Sequence, residues 1–283
     1  MKRKWKPLVL IALALLLAVQ ICDAVYLTWC GGSTRLPVLM FHHLSDNPNP
    51  VTTVTPERFR EQLTAVKEAG YNAVTVQQVI AYAEEGAPLP DKPILITLDD
   101  GYTSNLDLAA PILEELGMCA TIFVIGINEG ETVAPHTGEP MKPPRFSYEE
   151  ALPWVEKGVL DVQSHTYDLH RNFAGGGDRE GVLCRDGESS EEYRAALLAD
   201  AEKAAQRRAG RGLPTELVAL AYPYGFFSRE ADKAFLEAGL RLTVTTQEHV
   251  NRIYRGKSGS IRMLGRFNVN QDMTGEILLQ RIQ

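Results

Sequence analysis

The sequence predicts an α/β fold built on parallel strands, with a barrel favoured over an open doubly wound sheet. Short apolar strand candidates alternate with amphipathic helix candidates, a pattern that produces strand-helix-strand units with parallel strands. No Gly-x-Gly-x-x-Gly follows the first strand candidate, so the phosphate loop of a dinucleotide-binding open sheet is missing. His42-His43, Asp99-Asp100, the stretch from His165 to His170, and Tyr224 all fall where strand candidates end. Barrels place their working residues there.

The chain opens with a segment of different character. Lys2, Arg3, Lys4 and Lys6 precede an uncharged run from Pro7 to Cys22 that can be extended past Asp23 to Trp29. That approaches the roughly 20 residues a spanning helix needs. Residues 1–28 are expected to be a membrane anchor or a cleaved signal segment, with the anchor favoured because no small-x-small cleavage site follows the apolar core. The basic residues would stay cytoplasmic, placing the rest of the chain outside the cell membrane on a single pass, or secreted if the segment is cleaved.

Residues 29–35, with Gly31-Gly32-Ser33-Thr34, are expected to be a linker, and residues 36–283 one catalytic domain. Strand candidates are Leu36 to Phe41, Tyr71 to Val74, Ile94 to Leu98, Cys119 to Ile125, Val159 to Val162, Leu217 to Ala221 and Leu242 to Thr245, with a possible eighth ahead of the stretch from Leu264 to Val269. Helix candidates lie at 56–69, 75–85, 105–116, 147–157, 190–209, 228–238 and 274–281. Ser147 with Glu150 reads as a capping box, and Ser228 with Glu230 as a cap followed by a first-turn acid. Gly70, Gly86, Gly117, Gly158 and Gly210 stand where helices need a left-handed terminator. Asn128 to Phe146 and Asn172 to Ser189 are long, glycine-containing connections expected to form loops at the rim of a site.

Composition narrows the function. With 283 residues, 45% hydrophobic and 23% charged, the chain is of ordinary globular type, and a formal net charge of −7 argues against nucleic acid as a partner. Cys22, Cys30, Cys119 and Cys184 are too scattered for a disulfide framework or a CxxC metal site, although a Cys30 to Cys184 bridge is open in an oxidising compartment.

The chemistry centres on two clusters. Thr97-Leu98-Asp99-Asp100-Gly101-Tyr102 puts paired carboxylates at a strand end, and Ser164-His165-Thr166-Tyr167-Asp168-Leu169-His170 puts two imidazoles at another. Adjacent strand residues point to opposite faces, so Asp99 and Asp100 can share one site only if the strand ends there. His165 and His170 stand about 140° apart on a helix and on opposite faces of a strand. They can converge only across a turn, which Asp168 is placed to stabilise. One Asp with two His forms a potential metal site, while His136 and His249 read as surface loop residues.

Four boxes in order carry a resemblance over nearly the whole globular part. Pro37-Val38-Leu39-Met40-Phe41-His42-His43, the Thr-Leu-Asp-Asp-Gly-Tyr box, the Ser-His-Thr-Tyr-Asp-Leu-His box and Ala221-Tyr222-Pro223-Tyr224-Gly225 resemble the polysaccharide deacetylases of carbohydrate esterase family 4. The resemblance implies a distorted (β/α)7 barrel and metal-dependent removal of acetyl groups from an N-acetylated glycan, peptidoglycan or exported. It further implies Asp99 as general base, Asp100, His165 and His170 as metal ligands, and the Tyr224 backbone N–H as oxyanion donor. Three N/O ligands suit Zn²⁺ first, with Co²⁺ or Ni²⁺ possible.

The chain also departs from the family's commonest pattern. The second histidine comes five residues after the first instead of four, a spacing that resembles exported exopolysaccharide deacetylases. Ala221 stands where many members carry an arginine that orients the base, and Arg266 in Leu264-Gly265-Arg266-Phe267-Asn268-Val269 is the candidate substitute. The late Leu-x-His box falls on Leu278-Leu279-Gln280, whose amide cannot protonate an amine, leaving His42 and His43 as candidate acids. An O-acetyl (xylan-type) esterase and a glycan-binding pseudoenzyme are the competing expectations.

Overall fold

The structure is a computed structural model and describes residues 16–17, 19–20, 32–48 and 51–283. The anchor or signal expectation for 1–28 lies outside the described residues apart from those four, which are helical and exposed. Among the described residues no helix is long and apolar enough to cross a membrane. Cys22 and Cys30 also lie outside them, so the Cys30 to Cys184 bridge falls outside the described residues, and among those residues Cys119 and Cys184 form no disulfide.

In chain order the elements are β1 (Ser33–Leu36), β2 (Val38–Phe41), β3 (His43–Leu44), β4 (Thr53–Val54), α1 (Pro56–Glu68), β5 (Asn72–Ala73), α2 (Val76–Glu85) and β6 (Pro93–Asp100). A π-helical turn at Asn105–Ala109 runs into α3 (Ala110–Leu116), then come β7 (Ala120–Val124), α4 (Tyr148–Glu156), β8 (Leu160–Ser164) and α5 (Ser190–Arg208). The chain ends with β9 (Ala219–Ala221), α6 (Arg229–Glu237), β10 (Leu242–Val244), β11 (Asn251–Tyr254), β12 (Phe267–Asn268) and α7 (Gly275–Ile282).

The main sheet has the order β10-β9-β8-β7-β6-β2-β12, with every neighbouring pair parallel, and β5 adds to the start of β6. An isolated parallel bridge between Val244 and Leu264, with Thr245 N–H donating to the Leu264 carbonyl at 2.7 Å, ties the β10 edge to the chain that runs into β12. The result is an α/β fold on a curled parallel sheet. Alternation along β6 sorts its residues: Ile94, Ile96 and Leu98 join the core under α1, α3 and α4, while Leu95 faces the second core with Val38, Phe123 and Ala219. Thr97 and Asp99 share the face of Leu95, so the same alternation brings a carboxylate to the inside of the curl.

Each predicted strand has a counterpart, with local corrections. The Leu36 to Phe41 candidate is two strands, because Pro37 has no N–H to give a ladder. Ser33 to Arg35, expected as linker, belong to β1, which pairs antiparallel with β11. The 105–116 helix opens as a π turn because Pro111 cannot donate to the Asp107 carbonyl, and Ala110 N–H bonds Asn105 O instead. The Ser147 and Glu150 capping box forms as expected, as do boxes at Thr75 with Gln78 and Ser189 with Glu192. Such a cap contributes about 1 kcal/mol. Gly86 and Gly117 terminate α2 and α3 in the left-handed region.

Candidate metal centre and catalytic cleft

The paired carboxylates meet one site at the end of β6, which closes at Asp100 as expected, ahead of the turn at Gly101. Asp100 still pairs with Val124 of β7 and adopts a left-handed φ of 72°, which breaks the alternation and brings both acids to the same side. Non-glycine residues held in this region store strain of the order of 1 to 3 kcal/mol and cluster at working sites. Gly101 follows at φ 73°, and a Cβ there would press 3.2 Å against Val124.

Asp99 is 2% exposed and held by Arg266, itself fully buried. Nη1 donates to Oδ1 at 2.7 Å and Nη2 to Oδ2 at 2.8 Å, while the remaining guanidinium contacts run to Thr97 Oγ1 and the Thr245 carbonyl. Arg266 therefore stands where the sequence suggested a substitute for the missing arginine. Burial pushes the Asp99 carboxyl up, but the Arg266 guanidinium beside it outweighs that and holds the group below the usual carboxylate range.

Asp100, His165 and His170 converge. Their ligand atoms all lie within 4.8 Å of one another, with Asp100 Oδ1 at 3.6 Å from His165 Nε2 and 3.4 Å from His170 Nε2. Asp100 Oδ2 accepts a hydrogen bond from Tyr102 at 2.9 Å, whereas Oδ1 is buried with no hydrogen-bond partner. A buried carboxylate oxygen left unpaired is costly unless something binds it. The Ala221 carbonyl can only accept, so His165 Nδ1 donates to it at 2.8 Å and Nε2 is left with its lone pair toward Asp100. Burial, more than the neighbouring His165, pulls the His170 imidazole down to about 4, opposed by Asp100 and Asp99, so it is neutral as a ligand must be. This donor set fits a divalent cation with positions left open.

The turn between the histidines is built differently from the sequence expectation. Thr166 takes a left-handed φ of 67°, and Thr166 Oγ1 accepts the Leu169 N–H at 3.2 Å. Asp168, expected to stabilise the turn, sends its side chain outward to His136 at 2.6 Å and Arg171 at 3.1 Å. Its own N–H and that of Tyr167 are instead accepted by Asp200 of α5. Burial pushes the Asp200 carboxyl up to about 6, against the pull of those two backbone donors.

Around this centre the two long connections form the rim. Arg145 of the first lies over the Tyr102 ring at 3.7 Å, and Gly181 of the second sits where a Cβ would be 3.1 Å from the Pro223 carbonyl. Tyr224, in the Pro223–Gly225 turn after β9, has a left-handed φ of 57° and a ring 4.4 Å from that of His170. Gly225 follows at φ 75°, and a Cβ there would collide with Thr246. Tyr224 and Phe226 are exposed at 40% and 38%, their rings 6.1 Å apart.

The candidate acids separate. His43 Nδ1 is bonded to Ser104 Oγ at 2.8 Å, and burial followed by the Arg145 charge lowers its pKa. His42 Nδ1 is buried with no hydrogen-bond partner among the described residues, and its imidazole lies near both Asp99 and Asp100. Gln280 is exposed on α7 and makes none of the site's hydrogen bonds. His136 and His249 are exposed, as expected. Tyr102 was legible only as the last residue of the acid box, and Arg145 and Asp200 escaped the sequence reading. Of the last two only Asp200 left a trace, an acid in register with the buried Tyr193, Leu197 and Ala204 on one face of α5.

The chain is similar to known proteins in sequence and in fold. Residues 86–243 match the family model described as polysaccharide deacetylase. YxkH of Bacillus subtilis (strain 168) is 26% identical over 238 residues, 80% of this chain and 74% of that one. The poly-beta-1,6-N-acetyl-D-glucosamine N-deacetylase of Staphylococcus epidermidis is 27% identical over 201 residues, 69% of this chain and 62% of that one, so the match spans less than two thirds of that protein. A structure of the de-N-acetylase from Aggregatibacter actinomycetemcomitans superposes with a TM-score of 0.74 at 21% identity, covering 87% of this chain and 99% of that one.

Proposed function

This chain belongs to the polysaccharide deacetylase family, and from that premise we propose that it is a metal-dependent hydrolase removing N-acetyl groups from an extracytoplasmic polysaccharide. The observation that carries the reading is the buried, unpartnered Oδ1 of Asp100 facing the Nε2 atoms of His165 and His170, with the Arg266-bound Asp99 beside it.

Asp100, His165 and His170 would hold the cation, zinc first and cobalt or nickel next. Bound there, it supplies Lewis acidity that polarises an acetyl carbonyl and makes water acidic. Asp99 takes the proton as a water oxygen attacks the acetyl carbon, and Arg266 keeps the carboxylate ionised and fixed for that task. The Tyr224 N–H, presented by its left-handed turn, is assigned to the carbonyl oxygen as charge develops on it. When the C–N bond breaks, the departing nitrogen needs a proton, and His42 is the imidazole left free to give it. The exposed Tyr224 and Phe226 rings offer an apolar wall for a pyranose face. Placement outside the cytoplasm rests on the basic and then apolar N-terminal segment.

The test is acetate release by the zinc-loaded chain from N-acetylated glycans, with chelation as control. A β-1,6-linked N-acetylglucosamine polymer is tried first, because the similar Staphylococcus epidermidis enzyme is named for it. Peptidoglycan, chitooligosaccharides and acetylxylan complete the panel. Release from acetylxylan alone would replace the proposal with an O-acetyl esterase. No release from any glycan, with binding retained, would make the protein a glycan-binding pseudoenzyme.

A further inference from the structure

The segment from His165 to His170 carries two of the three proposed ligands and contains no helix or strand, its backbone being tied across where the Gly126 and Ile127 N–H groups donate to the Thr166 and Tyr167 carbonyls at 3.0 and 2.8 Å. Its five-residue spacing gives the backbone freedom, and His170 reaches Asp100 only if that freedom is removed. Two side chains act within the segment's own neighbourhood: Ser164 Oγ accepts the Thr166 N–H at 3.1 Å and Thr166 Oγ1 accepts that of Leu169 at 3.2 Å. The two N–H groups between them, on Tyr167 and Asp168, have no local acceptor. They are met by a carboxylate from a distant helix.

Asp200 lies on α5 and is 6% exposed. Its Oδ1 accepts the Tyr167 N–H and its Oδ2 the Asp168 N–H, both at 2.8 Å. A carboxylate is suited to this because it offers two acceptors and no donor when ionised. The two consecutive N–H groups converge on this one carboxylate in the bend that follows the left-handed Thr166.

We propose that Asp200 is a positioning residue for the metal centre, fixing the Thr166 to Leu169 bend so that His170 Nε2 faces Asp100 Oδ1. It touches neither the cation nor the substrate and acts through the backbone. The inference rests on the metal-centre reading above. Asp200→Asn keeps the shape but turns an N–H donor toward one of the two backbone donors, so one contact becomes repulsive.

The experiment is zinc affinity of the full chain, measured by competition with a chromophoric chelator, alongside the thermal midpoint of the metal-free protein. Asp200→Asn is expected to bind zinc about 10- to 100-fold more weakly, the usual effect of removing a group that orients a ligand. Its far-UV circular dichroism is expected to match the wild type. Asp200→Ser, which retains one acceptor and loses the charge, carries the same expectation and serves if the Asn variant does not fold. Unchanged zinc affinity in a folded variant overturns the inference, and so does a lowered thermal midpoint with unchanged zinc affinity, which marks a purely structural role. A wild type whose zinc binding is insensitive to His165→Ala overturns the metal-centre reading itself, so the two failures are distinguishable.

Discussion

Arg266 grips Asp99 through both carboxylate oxygens, at 2.7 and 2.8 Å, with both side chains withdrawn from solvent. Removing one member of a buried pair strands the other's charge, at about 3 to 5 kcal/mol. Arg266→Ala is therefore expected to lower unfolding stability by that order and to reduce kcat. Arg266→Lys recovers only part of both, because an ammonium cannot bind two oxygens in one plane. Denaturant unfolding and steady-state kinetics check this, and an Arg266→Ala protein with wild-type kcat removes the assigned role.

The free imidazole at His42 and the engaged one at His43 predict unequal variants. His42→Ala is expected to lower kcat by about 10²- to 10⁴-fold, the range for a lost acid or base, with zinc affinity little changed. His43→Ala should cost less, since His43 Nδ1 is already committed to Ser104. Equal losses in the two variants would withdraw the acid from His42.

A cation bound at Asp100, His165 and His170 stabilises only the folded chain. Zinc at a hundred times its dissociation constant should add about 2.7 kcal/mol, and chelation should remove that together with acetate release. Asp100→Asn is expected to abolish the zinc-dependent rise in Tm. A midpoint indifferent to zinc in the wild type counts against the centre.

Asp200 yields a pH dependence with a definite sign. Burial raises its pKa to about 6 in the folded chain, above the unfolded carboxyl, so between the two values the native state holds the extra proton. The associated stability is present below the unfolded pKa of about 3.9 and is lost as pH rises through about 6. In metal-free protein, the stability of wild type relative to Asp200→Asn should fall between pH 4 and pH 7. Parallel curves for the two proteins, measured by thermal unfolding, would contradict the raised value.

Phe226 extends the aromatic wall that starts at His170 and Tyr224. Phe226→Ala is expected to raise KM several-fold on a polymeric N-acetylated substrate and to leave kcat near wild type. An unchanged KM on the polymer would take Phe226 out of the substrate path.

The features legible in the sequence were those set by neighbours in the chain. Alternation of apolar runs with 3.6-residue periodicity located the strands and helices, capping residues such as Ser147 and Glu150 marked a helix start, and the acid and histidine boxes lay at strand ends. Those signals are local because strand alternation and helix caps depend on a few consecutive residues. What only the tertiary structure decided is which polar groups meet. Arg266 lies 167 positions from Asp99, and Asp200 lies 33 from Tyr167. No periodicity encodes either distance: the curl of the sheet brings β12 beside β2 and faces the Arg266 segment toward β6, and the packing of α5 presents its carboxylate to the histidine bend. The left-handed turn at Asp100 belongs to the same class, since a strained backbone persists only where surrounding contacts hold it. The candidate ligands could be named from the chain alone, but the groups that orient them came from the fold, because orientation requires contacts between segments that sequence order keeps apart.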